Sequence, residues 1–153
     1  MQLSVLVRLV VALILSGILG WERERANRPA GLRTHMTVGM SAALFVVLSD
    51  VLVTRYAGIA HTQTDPIRML QAILAGISFL GAGTIFVMRG RNQVRGLTTA
   101  ASLLATSGVG VAAGLEAYII AVGSTILLLV VLAAVGRIPV RRSHHESEPE
   151  DAG

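Results

Sequence analysis

The chain contains no cysteine and no lysine, and little charge of any kind. The first absence excludes disulfides, thiolate nucleophiles and cysteine metal sites, and leaves the redox compartment undetermined. Charged residues make up 14% of the 153 residues and hydrophobic residues 53%, against about 25% charged in a typical soluble domain. Such a composition does not coat a soluble surface, so the bilayer is the natural solvent for a chain long enough for one domain. A basic leader region and an A-x-A cleavage site are both missing at the N-terminus, so a cleaved signal peptide is not expected. The alternating ten-residue pattern of a transmembrane β-barrel is missing too. All thirteen basic residues are arginine and the net charge is +4. Nucleic-acid binding would require them on one face; they fall instead between apolar runs, as marks of membrane topology.

What is present is five apolar segments, roughly Leu3–Gly20, Met36–Val53, Ile67–Met88, Leu97–Gly114 and Ala117–Val135. At about 1.5 Å per residue, 18 residues make about 27 Å of helix, close to the roughly 30 Å hydrocarbon core. The fold expected is an all-α polytopic bundle of four to five spans. The fourth segment is the weakest, because it is rich in glycine, serine and threonine. Arginines set the orientation. Arg23, Arg25, Arg28 and Arg33 lie in the first loop, Arg89, Arg91 and Arg95 in the third, and Arg137, Arg141 and Arg142 after the last span. These ten share one side, which places the N-terminus outside and the C-terminus in the cytoplasm. Arg8 lies inside the first span, where its stem can snorkel to the outer interface; pairing with Asp50 is the alternative. Residues 1–137 form the transmembrane domain, and 138–153 read as a disordered cytoplasmic tail, basic at first and then acidic. His144, His145 and Glu146 on that tail are weak candidates for a metal.

Three stretches could carry chemistry. In "WERERANRPAGLRTHM", Glu24 and Arg28 stand at i,i+4 spacing, Pro29 and Gly31 break the helix, and Thr34 can cap the next one. Glu22, Glu24, Arg28, Arg33 and Arg95 form a candidate functional cluster, in which the glutamates pair with Arg33 or Arg95 or bind a cation. Simple anchoring is the equal alternative. In "TDPIRMLQAILAGISFLGAGTIF", Asp65 before Pro66 is a helix start, and Arg68 can close onto it. The same carboxylate is a candidate outer-face site for Mg²⁺, which favours oxygen ligands. Ala72 and Gly76 have the small-x-x-x-small spacing of close helix contacts, and Gly81 and Gly83 mark a kink or a broken helix. "GAG" is not a G-x-G-x-x-G fingerprint. In "VRGLTTAASLLATSGVGVAAG", Thr98, Ser102 and Thr106 line one helix face, with Thr99 beside it. Packing through small residues is favoured over a polar path. No histidine or lysine base accompanies the serines, so a hydrolase is unsupported, and the protein is not expected to be an enzyme.

In their order and spacing, these three stretches resemble the MgtC/SapB family of bacterial inner-membrane proteins, over roughly residues 10–125. Ser78 departs from the family's usual glycine. The resemblance implies a multi-pass protein of the bacterial inner membrane with its N-terminus outside, active in growth under magnesium limitation and, in some pathogens, in survival inside host cells. Many relatives carry a cytoplasmic ACT-like domain after the last span, for which this chain has only the short tail. The resemblance further implies regulatory contacts with other membrane proteins, among them the F-type ATP synthase, with magnesium transport as the competing role. A homo-oligomer is compatible with the small-residue faces. No cofactor is expected apart from Mg²⁺, and no nucleic-acid partner.

Overall fold

A computed structural model describes residues 2–56, 65–88 and 93–134. The elements in order are α1 (Gln2–Arg25), α2 (Leu32–Tyr56), α3 (Pro66–Ala82), β1 (Phe86–Met88), β2 (Gln93–Arg95), α4 (Leu97–Gly114) and α5 (Tyr118–Ala134). Arg89, Arg91, Arg137, Arg141, Arg142 and the tail lie outside the described residues.

Each apolar run becomes a helix, and the breaks fall where residue chemistry requires them. The helix α1 runs past the apolar segment to Arg25 and closes on Asn27, whose φ is 52°. The Asn27 amide donates to the Glu24 carbonyl and the Arg28 amide to the Arg23 carbonyl, each at 3.0 Å. That pair of bonds is a Schellman motif, with asparagine taking the left-handed position. The end of α4 repeats the motif: Glu116 has φ 61°, its amide reaches the Ala113 carbonyl, and Ala117 reaches Ala112. At the start of α3 the Asp65 side chain accepts from the Ile67 amide at 2.9 Å, ahead of Pro66. That capping was expected.

The third apolar segment does not stay helical to Met88. It ends at Ala82, and Gly83 and Thr84 turn the chain into the antiparallel β1–β2 hairpin, with Phe86 opposite Arg95 and Met88 opposite Gln93. Gly81 and Gly83 thus belong to a helix end rather than a break within a helix. The end carbonyls are satisfied locally: the Thr84 hydroxyl donates to the Gly81 carbonyl at 2.8 Å, and the Ile85 amide to the Ala82 carbonyl. The β-branched residues Ile85 and Val87 suit extended backbone. At the other end of the hairpin Gly96 has φ +95°, and a Cβ there would overlap the Thr84 carbonyl.

Helices α1, α2 and α4 form the centre; α3 packs on α4 and α2, and α5 on α1 and α4. Successive helices run antiparallel. Gly20 lies against Leu32 and His35 at one end, and Gly114 against Ala43 and Val46 at the other. Midway, α2 and α4 touch backbone to backbone at Gly39 and Gly110. The interior is built from small residues such as Ala12, Ala43 and Ala113, with Leu15, Leu19 and Val109 among them. Large apolar side chains point outward: Leu3, Phe79, Ile119 and Leu127 are among the most exposed. Ser16, His35, Thr99, Ser102, Thr106, Ser107 and Thr125 are buried. This inversion of the soluble pattern is the packing expected in lipid, where small and polar groups hold helices together and apolar bulk faces the acyl chains.

Three helices, α1, α2 and α4, are long and apolar enough to cross a membrane; α3 and α5 are shorter apolar helices. The segment that looked weakest as sequence is therefore one of the three. Three of its hydroxyls are satisfied within the helix, since Ser102, Thr106 and Ser107 donate to the carbonyls of Thr99, Ser102 and Leu104.

Candidate functional site

The arginine-rich end of the bundle is organised by the α1–α2 connection. Glu24 Oε2 accepts from the Leu32 amide at 2.7 Å, so this carboxylate caps α2 and sits at the positive end of its dipole. Gly31 permits the approach, since a Cβ there would lie 2.7 Å from the same oxygen. The expected cap, Thr34, is instead an exposed residue inside α2. Because Glu24 is committed to Leu32, no Glu24–Arg28 ion pair forms among the described residues. A small recess joins Glu24, Arg28, Gly31 and Arg33. Glu22 points elsewhere.

Two residues not singled out from the sequence lie at the centre of this end. Arg23 is 2% exposed, the largest fully buried side chain described. Its Nη1 lies 3.6 Å from Glu22 Oε2, a loose ion pair, and its Nε and Nη2 have no hydrogen-bond partner in the protein. His35 is fully buried on α2. Its Nδ1 donates to the Gly31 carbonyl at 3.0 Å, and its Nε2 lies 3.3 Å from Ser102 Oγ. Because Nδ1 bonds a carbonyl it carries a proton, so in the neutral ring Nε2 is the acceptor. The single Ser102 hydroxyl proton is then shared between Nε2 and the Thr99 carbonyl at 2.8 Å. His35 and Ser102 thereby tie the start of α2 to the first turns of α4.

A signal for both residues exists in the sequence. The buried residues of α1 include Ala12, Leu15, Ser16, Leu19, Gly20 and Arg23, a stripe at three- and four-residue spacing. Arg23 is its last member. His35 similarly heads the stripe His35, Val38, Gly39, Ala42, Ala43 and Val46 on α2. Extending the small-residue period past the apolar run finds both.

Of the remaining predicted residues, Arg28 and Arg95 join Arg23, Thr98 and Thr99 around one cavity of about 990 Å³. Arg33 does not line it. The hydroxyl face of α4 is shifted by one residue: Thr99, Ser102 and Thr106 are buried, whereas Thr98 is exposed. A Cβ added at Gly81 would make ordinary contact with Ala100 at 3.5 Å, and one at Gly76 would meet nothing within 4 Å among the described residues beyond its own helix. Ala72 and Gly76 border a groove between α2 and α3, together with Thr37, Ser41 and Phe45. Ser78 is exposed on α3, so its departure from glycine disturbs no packing inside the chain.

At the opposite end Arg8 is anchored rather than merely snorkelling. Its Nη1 lies 3.0 Å from Asp50 Oδ2, its Nε 2.7 Å from Glu116 Oε1, and Nη1 also donates to the Gly114 carbonyl at 3.1 Å. The guanidinium therefore joins α1 to the ends of α2 and α4, and occupies two carboxylates that would otherwise offer oxygen ligands. Asp65 lies 3.9 Å from Arg68, a loose pair between well-exposed groups. Among the described residues no three His, Cys, Asp or Glu side chains gather as a metal site would require.

Comparison with known proteins places these features in a family. The model of the MgtC family matches residues 9–140. A protein of Escherichia coli K12 named "Putative magnesium transporter YhiD" is 34% identical over 142 residues, covering 92% of this chain and 65% of its own length. Protein MgtC of Salmonella typhimurium is 38% identical over 124 residues, covering 81% of this chain and 49% of its own. An uncharacterized protein of Haemophilus influenzae is 33% identical over 130 residues, covering 84% of this chain and 54% of its own. The chain thus spans about half to two thirds of the length of these relatives. No solved structure matches it. With the family model covering most of the chain and the arginine-rich connection, the Asp65–Pro66 helix and the small-residue α4 all inside the matched region, the protein belongs to the MgtC family.

Proposed function

We propose that this chain is a non-enzymatic regulatory module of the bacterial inner membrane, acting through contacts with other membrane proteins during adaptation to magnesium limitation. The arginine-rich end faces the cytoplasm and the N-terminus lies outside. The observation that carries the reading is the groove between α2 and α3. Ala72 and Gly76 have helix-docking spacing, both are exposed, and a Cβ added at Gly76 would meet nothing within 4 Å among the described residues beyond its own helix. By contrast, a Cβ at Gly20, Gly39, Gly110 or Gly114 would meet backbone or Cβ atoms of a neighbouring helix. The α3 face is left for a helix of another membrane protein, and the F-type ATP synthase suggested by the family is the first to test.

Transport is the second reading. It has the printed name of the Escherichia coli relative in its favour. Against it stands the engagement of Asp50 and Glu116 by Arg8, since divalent pathways need carboxylates or carbonyls free to replace water around the ion. Purification of tagged protein from its native membranes, beside Mg²⁺ uptake by proteoliposomes, separates the two. The regulatory reading expects a membrane protein that co-purifies with the parent and not with Gly76→Leu, and no saturable flux. Saturable uptake with no retained partner would overturn it. Orientation is checked by cysteines at the exposed positions Ala26 and Leu115: only Leu115→Cys should react with an impermeant maleimide from outside.

A further inference from the structure

We propose that the cavity at the arginine-rich end is a binding site for a phosphate group, formed by Arg23, Arg28, Arg95 and the N-terminus of α4. It is separate from the α2–α3 groove and does not depend on the function proposed above.

Three observations converge. The first is charge. Three guanidiniums line a cavity of about 990 Å³, and no carboxylate is among its described lining residues. Glu22 offsets one of the three from outside, at a loose 3.6 Å, so positive charge remains in excess. Arg28 is near enough to Arg23 to repel it electrostatically. Like charges held together in this way are relieved by an anion between them.

The second is the helix. The N-cap of α4 is Gly96, which has no side chain to accept from the first turn. The leading N–H groups of a helix have no acceptor within it, and the residues that bear them here, Leu97, Thr98 and Thr99, line the same cavity beside Gly96. A helix N-terminus with free amides and a positive dipole end favours an anion. The Thr98 hydroxyl adds a donor at the mouth.

The third is Arg23. A 2% exposed arginine with two nitrogens unbonded is an anomaly, because buried polar groups in native structures are nearly always satisfied. Arg23 lines this cavity, and its planar fork matches two oxygens of a phosphate. Arg28 and Arg95 are exposed at the rim, where they can admit and hold the remaining oxygens. The buried arginine, the rim arginines and the uncapped helix together form a tetrahedral-anion site. Its position at the end of the bundle suits either a free phosphate or the headgroup of an anionic phospholipid, and the chemistry of recognition is shared.

The test uses the full chain in dodecyl maltoside at about physiological salt, where nonspecific attraction is screened. One arm titrates inorganic phosphate by calorimetry; the other incubates the micelles with phosphatidylglycerol or phosphatidylcholine and counts retained lipid by native mass spectrometry. Inorganic phosphate binding that weakens at least tenfold in both Arg28→Gln and Arg95→Gln supports the site with a free ligand. Retention of phosphatidylglycerol over phosphatidylcholine, lost in the same variants, supports it with a lipid. Both substitutions are at exposed side chains and leave the fold in place, so the result does not hinge on the buried Arg23→Gln, which should abolish binding if it folds. Absence of binding in both arms, or variants that bind as the parent does, would overturn the proposal.

Discussion

The backbone contact between α2 and α4 makes a quantitative prediction at two glycines two residues apart. At Gly110 an added Cβ would overlap the Gly39 carbonyl oxygen and lie 2.9 Å from both Gly39 C and Cα. At Gly108, on the exposed side of α4, it would meet nothing within 4 Å. Ordinary contact needs 3.4–4 Å, so relieving the overlap with the carbonyl oxygen in Gly110→Ala must part α2 from α4 by roughly 1 Å, a gap that forfeits about half of each dispersion well across it. The side chains that lose contact include Val38 with Leu103, and Ala43 with Val109 and Ala113. Overpacking of this kind costs about 1–3 kcal/mol, while alanine returns about 1 kcal/mol of helix propensity over glycine. Gly108→Ala receives the propensity gain alone. The two substitutions should therefore differ by roughly 1–3 kcal/mol, on the overpacking range, with Gly108→Ala at least as stable as the parent. Reversible unfolding in mixed maltoside–dodecyl sulfate micelles, followed by far-ultraviolet circular dichroism, measures the difference. Equal stability of the two variants would refute the backbone contact between α2 and α4.

Other positions give sharper local outcomes. Ser102→Ala removes the hydroxyl partner of buried His35 Nε2 and should destabilise by about 1–3 kcal/mol; in the same unfolding assay, Thr98→Ala, on the exposed neighbour, should change little. Asn27→Gly should be neutral and Asn27→Val should cost roughly 1–2 kcal/mol, because a β-branched residue is strained at positive φ, again read from the unfolding midpoint. Arg8→Met releases two carboxylates at once, and at about 1 kcal/mol or less per partly exposed pair the loss is modest. Adding Asp50→Asn to Arg8→Met should restore part of that stability in a double-mutant cycle, whereas the snorkelling reading expects no coupling.

Much of this fold was legible in the sequence because apolar run length is a strong signal in a chain with so little charge. The Asp65–Pro66 start could be read for the same kind of reason: a side chain and its own helix settle it locally. What could not be read depends on partners distant in sequence. Thr34 has the right chemistry to cap α2, yet the Leu32 amide is taken by Glu24, eight residues before it. The run through Met88 looks uniformly apolar, and only the Gly81–Thr84 turn and the pairing of Val87 with Val94 divide it. Thr98, Ser102 and Thr106 fit a period of four, which starts the hydroxyl face of α4 one residue early; the buried set Thr99, Ser102 and Thr106 follows the mixed three-and-four spacing that 3.6 residues per turn requires. By its place in the first loop, Arg23 reads as a topology charge. Its burial follows from its place at the end of the small-residue stripe of α1, which a count of loop arginines does not register.

The central claim is that the α2–α3 groove docks another membrane protein, and photo-crosslinking in native membranes addresses it most directly. A photoreactive residue at Gly76 should give a discrete protein adduct, while the same residue at Ile119, 91% exposed on α5, should label lipid. Lipid-only labelling at both positions, from protein that also conducts Mg²⁺ in proteoliposomes, would contradict the account.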